Sequence, residues 1–419
     1  MAILSLALKS LLNRRATALL TLASIALSVA LLVGVERLRT ETRASFASTI
    51  AGTDLIVGAR SGPVQLLLYA VFRIGNATNN ISWESYEDLA AHPRVAWTVP
   101  LSLGDSHRGF RVLGTTDAYL KHYRYGRDQA LSLAEGTWFD DLYDAVLGAE
   151  VAARLGYRPG DQIVVAHGAG DVAFARHDNK PFRIAGVLAR TGTPVDRTVH
   201  VSLAAIEAIH AGWRGGAPVR GLDVSAEAAR RMDLTPEAIT AVLVGLDSRI
   251  ATFGVQRWVN DYPEEPLLAV LPGVALAELW TLVGVAENAL LVVSACVVLV
   301  GLIGMVTALL IGLNERRREM AILRSVVARP AQELALIIGE AAILTLLGLA
   351  AGVGLLYRLL ATGQPWLETK LGLFIGIGVP TPREWLVLSA VLAAGVLAGA
   401  LPGWRAYRMS LADGLSMRL

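Results

Sequence analysis

Residues 289–313 read ALLVVSACVVLVGLIGMVTALLIGL, a run without a single charged side chain. A helix needs about 20 predominantly apolar residues to cross a hydrocarbon core about 30 Å thick, so this run is read as a membrane span. Working outward from it, three further windows qualify: Ala16 to Val35, Leu334 to Leu356, which carries Glu340, and Trp385 to Leu401, which is short and contains glycines. Tyr357, Trp366, Trp385 and Trp404 stand at or near span ends, where aromatic side chains anchor at the interface. With flanking residues included, the spans are placed at 16–36, 281–313, 333–357 and 385–403.

Bulk composition agrees. Hydrophobic residues make up 54% of the 419 and aromatics only 6%, so the surplus over a soluble domain lies in Leu, Val, Ala and Ile, which suit lipid-facing helices. A net charge of +2 gives nucleic acid no electrostatic hold on the chain as a whole. The single cysteine, Cys296, rules out an intrachain disulfide or a cysteine metal cluster, and it reads as a small hydrophobe inside a span. Lys9, Arg14 and Arg15 before the first apolar run, with Ser28-Val29-Ala30 inside it, superficially suggest a cleaved signal peptide. The run is too long for one and is expected to stay as a span.

Orientation follows from Lys and Arg in the short loops. Arg316, Arg317, Arg318, Arg324 and Arg329 fill the connector between spans two and three, which is therefore expected in the cytoplasm. The loop at 358–384 carries only Arg358, Lys370 and Arg383 and belongs on the other side. Span one does not decide, because Arg37, Arg39 and Arg43 follow it as closely as Lys9, Arg14 and Arg15 precede it. Four spans then put both termini, the lead-in 1–15 and the tail 404–419, inside.

Residues 37–280 are long enough for a domain with its own core. Short β-branched runs predict strands at Asp54 to Gly58, Val95 to Pro100, Phe110 to Gly114, Gln162 to Ala166, Phe182 to Leu188 and Thr198 to Ser202. Helical spacing predicts helices at Trp83 to Ala91, Gly148 to Leu155, Leu203 to Ala211 and Asp247 to Asn260, with a turn at Pro159-Gly160-Asp161. The expected fold is thus an α-helical membrane protein of four spans with a mixed α/β extracytoplasmic domain between the first and second. Both edges of the domain continue a helical pattern: Glu36 to Ser48 after span one, and about Val274 through Trp280 into span two, roughly 40 residues or about 60 Å. They read as stalks, or as helical linkers. In Pro63 to Ile74, the residues Leu66, Leu67, Leu68, Tyr69, Val71 and Phe72 crowd together. Such a cluster lines a hydrophobic substrate site, touches the outer leaflet, or is a helix buried in the domain core.

The connector, 314–332, starts at Asn314, a helix-capping residue, and Pro330 closes the run. Met320, Leu323 and Val327 share a face and arginines take the others, so an amphipathic helix lying on the inner membrane surface and docking into a partner's groove is expected. A charged loop that only sets topology is the simpler reading of the same composition.

The run Asn314, Glu315, Arg317, Arg318, Glu319, Ala321, Ile322, Leu323 and Arg324, followed by Glu340 and the glycine-rich Leu347 to Gly354, resembles the signature of the MacB/FtsX/LolC type (type VII, mechanotransmission) of ABC transporter permease. Lys9 to Val35, the Gly148-Ala149-Glu150 to Gly160-Asp161 element and the ending Pro402, Arg405, Ala406, Ala412 to Leu415 resemble other elements of that family, in order. The chain departs from it at Val326-Val327-Ala328, where the family has Leu-Gly-Ala.

The resemblance implies a permease subunit of the bacterial inner membrane with a MacB-like periplasmic core. It further implies a second permease subunit, most simply a homodimer, two copies of a cytoplasmic ATP-binding subunit, and a periplasmic adaptor or lipoprotein partner. ATPase coupling would then fall to Asn314, Glu315, Arg316, Arg317, Arg318, Glu319, Met320, Leu323, Arg324, Val327 and Arg329.

No Gly-x-x-x-x-Gly-Lys-Ser/Thr loop is present, so ATP and Mg are expected on the partner, and no cofactor is expected on this chain. Glu340 and Glu287 are the polar groups of the membrane region, Glu340 expected in helix packing and Glu287 at the outer interface. The histidines are dispersed, and His167, His177 and Asp178 show no ligand spacing, so no metal site is expected. No nucleophile and base set supports an enzyme. Two functions remain: transport or extraction of a hydrophobic, lipid, lipoprotein, peptide or small-molecule substrate, or FtsX-like signalling to a periplasmic partner without transport.

Overall fold

The computed structural model describes residues 14–168, 175–214, 217–218, 224–315, 330–371 and 376–408. The chain forms two compact units: residues 1–43 with 283–419, and residues 44–282. The divisions at Arg43/Ala44 and Leu282/Val283 both fall inside helices, Arg15–Ser48 and Pro272–Glu315.

Four long apolar helices stand among the described residues, Arg15–Ser48, Pro272–Glu315, Pro330–Leu371 and Pro382–Arg408, here helices one to four; the first unit holds the last two whole and the larger part of each of the first two. Helix two, of 44 residues, is about 66 Å long, twice a hydrocarbon core. Helix three does not stop at Tyr357 but runs on to Leu371, so the first part of the loop placed at 358–384 is helical. Leu359, Leu360 and Ala361 are good helix formers that carry the helix past Tyr357, and aromatic anchors mark interface depth rather than a helix end. Helix four begins with a reciprocal cap: Glu384 N–H donates to Thr381 Oγ1 at 3.3 Å, Thr381 N–H donates to Glu384 Oε2 at 2.8 Å, and Pro382 fills the first helical position.

The second unit is built on one mixed sheet. Its main strands are β1 (Leu55–Ala59), β2 (Val95–His107), β3 (Phe110–Thr115), β4 (Leu133–Gly136), β5 (Asp144–Leu147), β6 (Phe182–Leu188), β7 (Thr198–Ser202), β8 (Ala241–Leu246) and β9 (Leu267–Val270). They lie in the order β9-β1-β8-β2-β3-β7-β5-β6-β4. The β3/β7 and β5/β6 pairs are parallel and the rest antiparallel. Between β2 and β3 the turn is made by Arg108 and Gly109, both at positive φ, as a two-residue hairpin of the right twist requires.

Side chains alternate between two buried faces. Leu55, Val57, Val242, Val244, Leu267 and Ala269 pack under the Trp83–Ala91 and Thr252–Asn260 helices through Leu89, Val255 and Val259. Ile56, Ala241, Leu243 and Val270 pack on the opposite side against the Pro63–Ala70 helix. Cover on both sides explains why these strands read as unbroken apolar runs.

That same helix corrects the substrate-site reading of its sequence. Leu66 and Leu67 are fully buried, Tyr69, Val71 and Phe72 nearly so, and Leu68 is packed against the same cluster. The residues are apolar because they form the core under β1 and β8, with Leu68 partly buried at its margin.

Candidate functional site

In the first unit, small residues let the helices meet. Gly348 and Gly352 on helix three lie against Ile25, Ala26 and Val29 of helix one, and a Cβ on Gly352 would stand 2.6 Å from the Ala26 carbonyl oxygen. Gly395, Gly399 and Gly403, one per turn on helix four, face Thr345, Ala341 and Leu334 of helix three in the same way. Helix two joins helix one where Ser28 Oγ donates to Val297 O at 3.2 Å, beside Gly301. Lipid offers no hydrophobic drive for helices to associate, so close backbone approach of this kind carries the packing. Cys296 is exposed on helix two.

At one end of these helices lies a collar of charges. Arg37, 3% exposed, pairs through Nε with Glu384, 2% exposed, at 3.1 Å, and its Nη2 donates to the carbonyls of Gly378 and Val379. Its guanidinium also lies over the Tyr357 ring, 4.9 Å from the centroid, and the Tyr357 hydroxyl donates to Gly378 O. Arg39 and Arg43 both grip Glu287, Arg39 Nε at 3.0 Å, and Arg39 also reaches Glu36 at 3.4 Å. Helix one is thus tied by charge to helices two and four. The arginines that made span one ambiguous in orientation are the ones engaged by Glu36, Glu287 and Glu384. The spacing of these groups along the chain hid the collar, although the Thr381-Pro382-Arg383-Glu384 cap was readable.

Of the coupling residues, Asn314 and Glu315 end helix two. Arg316, Arg317, Arg318, Glu319, Met320, Leu323, Arg324, Val327 and Arg329 lie outside the described residues. Glu340 is buried in helix three, next to Ala341 at the Gly399 contact.

In the second unit, dispersed titratable residues converge. Asp105 at the end of β2 meets His167 and His210, while His177 stands beside His210 with its ring centroids 5.1 Å apart. Burial alone would raise the Asp105 carboxyl, but hydrogen bonds with His167 and His210 outweigh it and hold the group at about 2. Burial pushes His177 down to about 4, with His210 nearby adding to the effect. His200, wholly buried beside Tyr119 and Trp138, is pushed down to about 3 by burial and then by Arg73.

A pH dependence follows. His177 and His200 are neutral in the folded domain, whereas in the unfolded chain they take up a proton near the ordinary 6.5. The stability they contribute is complete above pH 6.5 and is lost as pH falls toward 4 and then 3. His210 is shifted the other way: burial lowers it, but the Asp105 hydrogen bond and charge win, so its contribution is already complete below 6.5 and does not offset the loss. For His200 the full effect is on the order of 5 kcal/mol. The thermal midpoint of the inserted domain, followed by tryptophan fluorescence, is expected to drop steadily between pH 6.5 and 4, and His200→Gln should flatten that slope. An unchanged slope in the variant would show that His200 is not buried neutral.

Taken together, these elements define a class: a polytopic helical membrane protein with a mixed α/β domain inserted between its first and second long helices. Residues 18–242 match the family model of the MacB-like periplasmic core domain, and residues 291–411 match the FtsX-like permease C-terminal family. The chain belongs to the MacB/FtsX type of ABC transporter permease.

Among curated proteins it is 25% identical over 418 residues to the macrolide export ATP-binding/permease protein MacB of Azoarcus sp. (strain BH72). That match covers 93% of this chain and 55% of the relative, so the chain spans about half the relative's length. Among solved structures, the periplasmic region of MacB from Actinobacillus actinomycetemcomitans aligns at 11% identity and a TM-score of 0.34, covering 55% of this chain and 94% of that one. The extracellular domain of the noncanonic ABC-type transporter YknZ from Gram-positive bacteria aligns at 14% identity and a TM-score of 0.31, covering 52% and 99%.

Proposed function

We propose that this chain is the permease component of an inner-membrane ABC transporter, in which ATP hydrolysis on a cytoplasmic ATP-binding component moves the inserted domain and drives export or extraction of a substrate at the outer side. The observation that carries the reading is the presence, in one chain, of a MacB-like periplasmic core match at 18–242 and an FtsX-like permease match at 291–411. The relative's name joins permease to ATP binding and to macrolide export, and this sequence has no phosphate-binding loop of its own to supply the first.

In this proposal the arginine-rich connector from Asn314 to Arg329 faces the cytosol and docks on the ATP-binding component, present in two copies beside two permease chains. Both chain crossings between the units run inside helices, which supports a lever: a displacement at one end of a hydrogen-bonded helix is carried along it rather than absorbed by a loop. The partner's nucleotide state would select between helix arrangements, and the inserted domain would follow. Substrate class stays broad, from lipid or lipoprotein to peptide or small molecule, because the Leu66 to Phe72 cluster belongs to the core.

The test is co-purification of the chain with its ATP-binding component. The double charge reversal Arg317→Glu/Arg324→Glu is expected to reduce recovery of the complex at least about tenfold, the effect of losing roughly 1.4 kcal/mol. A complex recovered in full would remove the connector from the interface. Reconstitution of the complex with candidate cargo then separates transport from signalling, since only a transporter releases or moves cargo on ATP addition.

A further inference from the structure

Asp105, His167 and His210 come from three separate places in the inserted domain: the end of β2, the short Ala166–His167 strand that pairs with β2, and the last residue of the Leu203–His210 helix. Their ligand-type atoms form a small triangle. His167 Nδ1 lies 3.0 Å from Asp105 Oδ1, His210 Nε2 lies 3.2 Å from His167 Nδ1, and His210 Nε2 lies 3.5 Å from Asp105 Oδ1.

Protons do not satisfy this triangle with neutral imidazoles. His210 Nδ1 is 2.9 Å from the Ile206 carbonyl, which can only accept, so the ring proton sits on Nδ1 and Nε2 turns a lone pair into the cluster. With both rings neutral, His167 Nδ1 can offer one proton to share between Asp105 and His210, and the remaining edge sets the His210 lone pair against a carboxylate oxygen; either a second proton on His210 Nε2, donated to Asp105, or a metal ion in its place resolves that edge. A cation at the centre makes all three edges favourable at once. Two imidazoles and a carboxylate bound to one ion at about 2.0–2.2 Å would stand about 3.3–3.6 Å apart in tetrahedral geometry, which matches the observed edges within a few tenths of an ångström.

Two features around the triangle point the same way. The Nδ1–H to backbone carbonyl bond of His210 is the outer support that metal-bound histidines commonly have. His177, 3% exposed, packs its ring against His210 and Trp213, and its Nε2 is buried with no hydrogen-bond partner among the described residues. Asp105 is 2% exposed, while His167 and His210 are 32% and 23% exposed, so the cluster opens to solvent on its histidine side.

We propose that Asp105, His167 and His210 bind a divalent transition ion of the zinc class in the inserted domain, with the His177 ring packed beside it. Mixed nitrogen and oxygen donors favour Zn(II), Ni(II) or Cu(II) over Mg(II) or Ca(II), which take oxygen ligands. Three protein ligands with solvent access leave a fourth position for water, unlike a closed four-ligand structural site.

The experiment uses the full chain in detergent, stripped with a chelator and titrated with Zn(II) against a chromophoric competitor, and with Co(II) followed by its visible ligand-field bands. The expected result is one tight equivalent of Zn(II) and intense tetrahedral-type Co(II) bands. Asp105→Asn and His210→Ala should each weaken Zn(II) binding by at least about 100-fold, the upper end of what loss of an outer-shell partner alone produces. His122→Ala, on a histidine stacked against Trp97 away from the cluster, should leave it unchanged. Zn(II) affinity equal in all four proteins, or no Co(II) bands, overturns the proposal in favour of a proton-only network. Should the cluster variants fail to fold, the wild-type chain decides: a rise in melting temperature with Zn(II) but not with Mg(II) supports the site, and no rise overturns it.

Discussion

Gly352→Leu is expected to break the helix bundle, while Gly354→Leu, two residues along the same helix, is expected to leave it intact. Around Gly354 there is nothing within 4 Å of the position a Cβ would take, so a leucine there meets open space or lipid. At Gly352 the same atom would meet the Ala26 carbonyl oxygen at 2.6 Å and Val29 Cβ at 2.9 Å. A flexible side chain could swing away, but a backbone oxygen cannot, so helices one and three must part along the Gly348–Gly352 face. Overpacking a well-filled site costs about 1–3 kcal/mol and occasionally more, and a leucine against fixed backbone belongs at or above the upper limit. Buried residues of this seam, Ile25, Val29 and Leu349, lose their contacts in the same step. The check is size-exclusion chromatography of the heated, detergent-purified chain: a midpoint several degrees lower for Gly352→Leu than for Gly354→Leu is expected. Equal midpoints would mean that the two helices do not meet at these glycines.

That seam was partly legible in the sequence, and the contrast with other features shows what a sequence can carry. Long uncharged runs announce membrane helices because lipid imposes the rule residue by residue, and all four were visible that way. Glycines at 348, 352, 395, 399 and 403 display the four-residue spacing of a helix face, but which helix each face meets is a tertiary fact.

In the inserted domain, Phe182 to Leu188, Thr198 to Ser202 and Trp83 to Ala91 were readable to the residue, since polar or turn residues bound them. β4, β5, β8 and β9 were missed: β4 is a short, largely exposed edge strand, and the other three are short apolar runs buried on both faces, without the alternation that separates a strand from a piece of helix. Gln162 to Ala166, read as one strand, is two short strands pairing with different partners, β6 and β2. The cluster at Asp105 could not be read at all. Its members are 62 and 43 residues apart, and only the packing of the Leu203–His210 helix end near β2 brings them together. Spacing rules for metal ligands recognise local motifs, and this one is wholly non-local.

Removing one partner of the buried pair at the collar should have the other large effect, and the two single substitutions should not cost the same. Arg37→Met leaves Glu384, 2% exposed, with its counter-charge gone, and an uncompensated buried charge costs about 3–5 kcal/mol. Glu384→Gln costs less for two reasons. Arg37 keeps the carbonyls of Gly378 and Val379 and the face of the Tyr357 ring, so its charge stays partly compensated. The amide oxygen of a glutamine can also still accept from Thr381 N–H, preserving the start of helix four. Arg37 Nε and Glu384 Oε1 are 3.1 Å apart without hydrogen-bond alignment, so their attraction is mainly Coulombic, and a neutral pair of similar volume loses little else. The double variant Arg37→Met/Glu384→Gln should therefore recover most of the loss seen in Arg37→Met alone, as buried pairs replaced on both sides commonly do. Thermal unfolding of the four proteins in detergent, arranged as a double-mutant cycle, measures this directly. The exposed pair Arg94–Asp247 supplies the scale, since Arg94→Met there should cost less than about 1 kcal/mol. If Arg37→Met proves no more damaging than Arg94→Met, the collar is not buried, and helix one is held to helix four by the glycine-lined packing of the bundle alone.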